Sequence, residues 1–267
     1  MRKLLLAAAG LLMVTPFLYM ISLSLMGEGE LLRWPPPLVP AVPTFDNYAE
    51  VLNVLGYGRV MLNTAVLAGC VMVGQILTSA AAGYALARLE FPGRQGTLTT
   101  LLIVLAFPTI VLLIPRFLMM QALGWIDTYP GLISTELVSV WGILLMRQTF
   151  VMLPRDIEDA ARLDGAGEWT VFWHVTLPLA RPAVAALAVL AFLDQWRNVL
   201  WPLAVTESPT MEVAEVALAR FHIAYAGNWP YQMAAAMLIT APLLIVCLLA
   251  QRHIMAGIRF TGADLRF

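Results

Sequence analysis

Long apolar runs, separated by short stretches rich in proline, glycine and charge, set the pattern of this chain. A bilayer core takes about 20 mostly apolar residues per helix. Six runs qualify: residues 4–26, 60–86, 98–118, 131–149, 182–203 and 232–254. The pattern predicts an all-α membrane protein with six transmembrane helices, folded as one domain over residues 1–267. Run 4–26 exceeds the apolar core of about 7–15 residues in a secretory signal, and no small-residue cleavage site closes it, so it reads as a retained span. Glu136 falls in the first turns of the fourth run, where the end of a span can meet the interface. Ala80, Ala81, Ala82 and Gly83 in the second run favour close packing of a neighbouring helix.

The polar stretches fix an orientation. With the amino terminus inside, 11 of the 16 Lys and Arg residues fall on the cytoplasmic side, Arg88, Arg94, Arg147 and Arg162 among them. Arg33, Arg59, Arg116, Arg197 and Arg220 lie in or near the outer loops, and both termini are cytoplasmic. Outside, prolines keep the chain irregular up to Thr44. TFDNYAEVL then reads as a short surface helix or a passive linker. Pro92-Gly93 makes a tight inner turn. Loop 204–231, with Trp229 and Tyr231, is the longest outer connection after the first.

Segment 154–178 is the most charged part of the chain. Asp156 is suited to cap a helix, and Glu158 and Asp159 then occupy the first turn, where carboxylates favour the helix dipole. Ala160 and Ala161 offer only methyl groups, and Gly165 suits a left-handed stop. Pro178 is expected to end the helix that runs from Trp169 to Thr176. Such a helix is either a solvated connector or a surface another protein can approach closely.

The spacing of that segment resembles the E-A-A-x3-G-x9-I-x-L-P signature of permease subunits from bacterial ABC importers. Asp159, Ala160, Ala161, Gly165, Val175, Leu177 and Pro178 stand at its fixed points, with Asp for Glu and Val for Ile. PTFDNYAEVL, Asn63, the stretch 83–94 and FLDQWRNVLWPL extend the resemblance over nearly the whole chain. They resemble the carbohydrate branch (maltose, multiple-sugar and glycerol-phosphate systems), with Arg197 where that branch usually has Asn. The resemblance implies a multi-pass protein of the bacterial cytoplasmic (inner) membrane, with a cytoplasmic coupling helix between the fourth and fifth spans. Glu158, Asp159, Ala160, Ala161, Arg162, Asp164, Gly165 and Pro178 would serve an ATP-binding subunit dimer. It further implies a second permease subunit, an extracytoplasmic solute-binding protein that meets the outer loops, and a sugar-like solute. ATP and Mg would bind at the partner ATPase, because this chain has no G-x-x-x-x-G-K-[ST] sequence.

A second polar cluster, Asp194, Gln195, Trp196, Arg197, Asn198 and Trp201, sits within the fifth run. Ionisable residues there are costly and face a cavity or each other. One reading is an Asp194–Arg197 pair that fixes helix packing. The other is a solute path, with polar groups on hydroxyls, Trp rings on sugar C–H faces, and Arg197 suited to an acidic or phosphorylated solute. Composition narrows the alternatives. Charged residues are 12% of the 267, against about 25% in soluble domains. The net charge of −1 comes with no basic patch for nucleic acid. Cys70 and Cys247 lie in apolar runs and read as small core residues, and His174, His222 and His253 are dispersed, so no metal or catalytic constellation follows. An ion-coupled carrier or channel is the alternative, although internal repeats typical of carriers are not evident.

Overall fold

The computed structural model describes residues 2–27, 29–32 and 37–262, and no strand occurs among them. The first half contains α1 (Arg2–Ser24), α2 (Asp46–Val54), α3 (Tyr57–Arg88), α4 (Arg94–Leu105), α5 (Leu113–Ala122), α6 (Tyr129–Ile133) and α7 (Val140–Met152). Then come α8 (Asp156–Leu163), α9 (Glu168–Thr170), a π-helical turn Val171–Thr176 and α10 (Leu177–Leu179). The chain continues through α11 (Arg181–Trp196), α12 (Leu200–Val205), α13 (Ala214–Ala224) and α14 (Trp229–Gly262). Arg33 and Arg266, which belong to the orientation count, and Pro35 and Pro36 of the outer proline-rich stretch lie outside the described residues. The side chain of His253 does too.

Among the described residues, α3 and the Trp229–Ala250 part of α14 are each long and apolar enough to cross a bilayer. Three bent helix pairs bring the number to as many as five, and α1 adds a shorter apolar helix over Ala9–Ser24. The bends interrupt three of the runs expected as single helices. The third run breaks by 96° between Arg94–Leu105 and Thr109–Ala122, at Pro108, which supplies no N–H and is itself extended. The fourth bends by 43° between Tyr129–Glu136 and Val140–Met152. The fifth run is helical only to Trp196 and resumes at Leu200, and α11 is bent 78° from the helix Glu168–Leu179 before it. Broken helices expose carbonyls that lipid cannot satisfy. At the fourth break, Gln75 Nε2 donates to the Glu136 carbonyl (2.8 Å) and Thr78 Oγ1 to that of Leu137 (2.9 Å).

The chain divides into two compact units, Met1–Thr64 with Glu212–Ile245, and Ala65–Met211 with Val246–Phe267. In the first, the expected outer helix is present as α2, and it is no passive linker. Buried Asn47 donates from Nδ2 to the Ser24 (2.9 Å) and Met26 (2.8 Å) carbonyls, closing the end of α1. The Ser24 hydroxyl pairs with the Tyr48 hydroxyl at 2.6 Å. Val51 packs with Phe221, Ala234 and Ala235. Loop 204–231 likewise contains an ordered helix: the α13 residues Ala214, Val216, Ala217 and Phe221 are buried, and the Ala214 amide donates to Thr64 Oγ1 (2.8 Å). Asn63 Nδ2 donates to the Glu212 carbonyl (2.8 Å). Pro242 within α14 has no N–H for the Leu238 carbonyl one turn earlier, and the Tyr57 hydroxyl supplies the missing donor at 3.0 Å.

The second unit is built around a close crossing of α3 and α7. A Cβ on Gly83 would lie 2.8 Å from both the Arg147 amide nitrogen and Met146 Cβ. One on Gly142 would lie 2.5 Å from Ser79 Oγ. Ala80 is buried in the same core with Tyr84, Met146, Phe150 and Phe172, whereas Ala81 faces outward. Cys70 is exposed rather than part of a core, and both cysteines are free thiols.

Candidate functional site

Segment 154–178 folds as a short helix with an internal anchor. Helix α8 opens at Asp156 with Arg155 in the cap position and no side-chain cap, so Asp156 is the first helical residue rather than the cap. Its end is as expected: Gly165 has φ +87°, the Ala166 amide donates to the Ala161 carbonyl (3.0 Å) and the Gly165 amide to that of Arg162 (3.0 Å). This bond pair ends a helix through a left-handed residue. The Pro178 expectation needs correcting. The helix continues through Pro178 to Leu179, and the break falls at Ala180. A proline ring clashes with the carbonyl four residues back; the widened π turn lies directly before Pro178, where it relieves that clash.

Two carboxylates adjacent in sequence take opposite roles. Glu158 is 1% exposed, its Oε1 accepting from Arg88 Nε (2.9 Å) and from the Thr176 hydroxyl (3.1 Å), while Arg88 also donates to the Leu153 carbonyl (2.9 Å). Asp159 is 62% exposed and pairs with Arg162 at 2.8 Å. Arg162 binds Glu168 at 2.8 Å, and Glu168 accepts the Tyr84 hydroxyl at 2.8 Å. The Arg162 hydrogen bond, aided by Tyr84, holds the Glu168 carboxyl below its usual range despite partial desolvation. The outward face of α8 shows Ile157, Ala160 and Leu163, and Trp169 stands exposed beyond it.

The second cluster borders a cavity of about 700 Å³. Asp194, Arg197, Asn198 and Trp201 line it, and so do Arg116 and Glu136. Arg116 is ion-paired to Glu136, donates to Thr135 Oγ1 (2.6 Å) and lies 4.1 Å over the Trp201 ring. Trp201 Nε1 donates to the Leu132 carbonyl (3.1 Å). Gln195 is buried behind the wall, donating to Glu136 Oε2 (3.2 Å). Trp196 packs against Phe192 at 5.4 Å. Two expectations change. Asp194 and Arg197 are not among the ion pairs of the described residues, and both are exposed. Trp196 and Trp201 are buried, so neither presents an open ring face to a sugar.

Residues 75–260 match the family described as "Binding-protein-dependent transport system inner membrane component". The chain belongs to that family. It is 32% identical to the arabinooligosaccharides transport system permease protein of Halalkalibacterium halodurans, over 93% of this chain and 90% of the relative. It is 33% identical to the sn-glycerol-3-phosphate transport system permease protein of Rhizobium meliloti (93% and 91%). It is 32% identical to the diacetylchitobiose uptake system permease protein of Streptomyces coelicolor (92% and 83%). In fold it resembles a bacterial ABC transporter involved in importing the acidic polysaccharide alginate, with a TM-score of 0.81, 24% identity and 94% coverage of both chains. The permease is therefore an inner-membrane transport subunit of a binding-protein-dependent ABC importer and not an enzyme; ATP is hydrolysed by a partner.

Three charged residues of the permease that the sequence placed only by span or orientation are ion-paired in the structure. Arg116 and Glu136 are opposite charges inside apolar runs, a signal for mutual pairing that was present in the sequence. Arg88 closes α3 and was read only as a marker of orientation. The exposure of Ile157 and Leu163 on α8 was not legible in the sequence, because it depends on which face Glu158 anchors.

Proposed function

We propose that this permease carries a neutral sugar or related polyol inward, as one of two permease subunits acting with an ATP-binding subunit dimer and an extracytoplasmic solute-binding protein. In this reading the chain is a single transmembrane domain of six spans, three of them bent, with both termini cytoplasmic. Helix α8 is the cytoplasmic knob that enters the ATPase, with Asp159, Ala160, Ala161 and Asp164 at the contact beside Ile157 and Leu163. Glu158 and Arg162 work from within, holding the knob rigid. Gly165 sets its exit, and the helix through Pro178 carries its motion toward α11. ATP and Mg act at the partner. The carrying observation is the combination of an apolar outer face on α8 with a buried Arg88–Glu158 anchor beneath it. A solvated connector needs neither.

The cavity supports the solute class. Its charged lining is balanced, Arg116 and Arg197 against Glu136 and Asp194, so it sets up no net preference for an anion. Asp194, Arg197 and Asn198 offer both donors and acceptors to hydroxyl groups. A phosphorylated or acidic solute is the second reading, favoured by the exposed Arg197, which makes no ion pair within 4.0 Å among the described residues. Ala160→Cys in the assembled importer should cross-link to the ATPase, and a sugar with its binding protein should stimulate ATP hydrolysis. A chain that purifies alone and moves solute on an ion gradient would overturn the reading. Arg197→Ala separates the two solutes: it abolishes uptake of an anion and leaves that of a neutral sugar largely intact.

A further inference from the structure

A second cavity, of about 530 Å³, lies where the Pro92-Gly93 turn joins α3 to α4. Its polar lining is all cationic or donor-bearing. Arg94 and Arg147 face it, together with Gln95 and Gly96 of the first turn of α4, and no carboxylate among the described residues lines it. Arg94 is partly occupied, since Nε donates to the Leu86 carbonyl (3.0 Å) and one terminal nitrogen to that of Ala87 (3.3 Å). Arg147 is different. Its Nε is buried without an acceptor, and no hydrogen bond or ion pair engages its guanidinium among the described residues.

Arg147 is half-buried, and its enclosed Nε without an acceptor is costly to leave unpaired. The geometry beside it adds to the demand for an anion. Helix α4 starts after Gly93 at φ +86°, with no side-chain cap and no acidic residue in its first turn. The Gln95 and Gly96 amides have no protein acceptor among the described residues, so they stand free at the positive end of the helix. The depth also fits a membrane boundary. The cavity follows the end of the apolar helix α3, and Leu86, Phe91 and Leu98 form its apolar wall.

We infer that Arg147, Arg94 and the first-turn amides of α4 form a binding site for a phosphate oxyanion, supplied by an anionic phospholipid headgroup or by free phosphate. Basic pockets beside membrane helices hold lipid headgroups by this chemistry. The site depends neither on the role of α8 nor on the solute.

The test uses the full chain in phosphatidylcholine nanodiscs doped with phosphatidylglycerol, with retained lipid counted by native mass spectrometry. A parallel arm adds inorganic phosphate in neutral detergent and follows thermal unfolding. Arg147→Gln should lower phosphatidylglycerol retention about tenfold, the worth of one charge-assisted contact, and leave phosphatidylcholine retention unchanged. Gln95→Glu guards against misfolding. Its carboxylate suits the helix terminus and should preserve stability, yet it should expel the anion equally well. Loss of phosphatidylglycerol in both variants identifies the lipid source. An Arg147-dependent stabilisation by phosphate alone identifies the soluble one. Equal retention in the wild type and both variants, with no phosphate effect, overturns the site.

Discussion

Arg88→Met removes one partner from the most deeply buried ion pair of the described residues, at 3% and 1% side-chain exposure. Glu158 is then left with the Thr176 hydroxyl at 3.1 Å and with Arg162 no nearer than 3.7 Å. Breaking a buried pair on one side costs about 3–5 kcal/mol. The hydrogen bond to the Leu153 carbonyl adds about 1 kcal/mol. Replacing both partners behaves differently, because no uncompensated charge remains. Arg88→Met with Glu158→Leu should therefore recover about 2–3 kcal/mol of the single-mutant loss. The stability readout is thermal or denaturant unfolding of the purified chain in detergent, run as a double-mutant cycle. The functional readout is the ratio of solute uptake to ATP hydrolysed in the reconstituted importer. Loss of the anchor should lower that ratio while the ATPase still copurifies. If the double variant is no more stable than Arg88→Met, or if the ratio is untouched in a stable single variant, the anchor argument fails.

Three further outcomes follow from individual contacts. Gly165→Val forces a β-branched residue to φ +87°, at a cost of about 1–2 kcal/mol or more, and should reduce uptake per ATP; normal coupling would refute the assigned turn. Tyr57→Phe leaves the Leu238 carbonyl without its donor beside Pro242 and should cost about 1–3 kcal/mol in unfolding, whereas Tyr48→Phe leaves Leu238 untouched. Asp127 sits at φ 60° and accepts from the Glu207 (3.0 Å) and Ser208 (3.1 Å) amides. Burial pushes its carboxyl up, but the hydrogen bonds from Ser208 and Glu207 outweigh this and hold it below its usual value. A depressed carboxyl stabilises the fold above its unfolded pKa of about 3.9 and ceases to do so as pH falls through the folded value. Asp127→Asn tolerates the same backbone, so its stability deficit at neutral pH should begin to shrink only as pH falls below about 4 and disappear below the folded value; a deficit constant with pH would remove the charge from the account.

The apolar runs alone determined that this chain is helical and membrane-bound, because burial in lipid requires length and composition that any window of sequence displays. Local chemistry was equally legible: Gly165 after Asp164 spelled a left-handed stop, and FDNY a short outer helix, since caps and turns are settled within a few residues. Tertiary structure alone decided which way charges point. Glu158 and Asp159 are chemically alike neighbours, yet only the fold brings Arg88, 70 residues earlier, beneath one of them. The same holds for the broken fourth apolar run, whose freed carbonyls find Gln75 and Thr78 on α3 some 60 residues away. It holds again for Trp201, whose ring is covered by Arg116 rather than open to solute. Such pairings depend on the path the backbone takes after Pro108 and Ala180 bend it. That path is a sum over many contacts rather than a property of any single stretch.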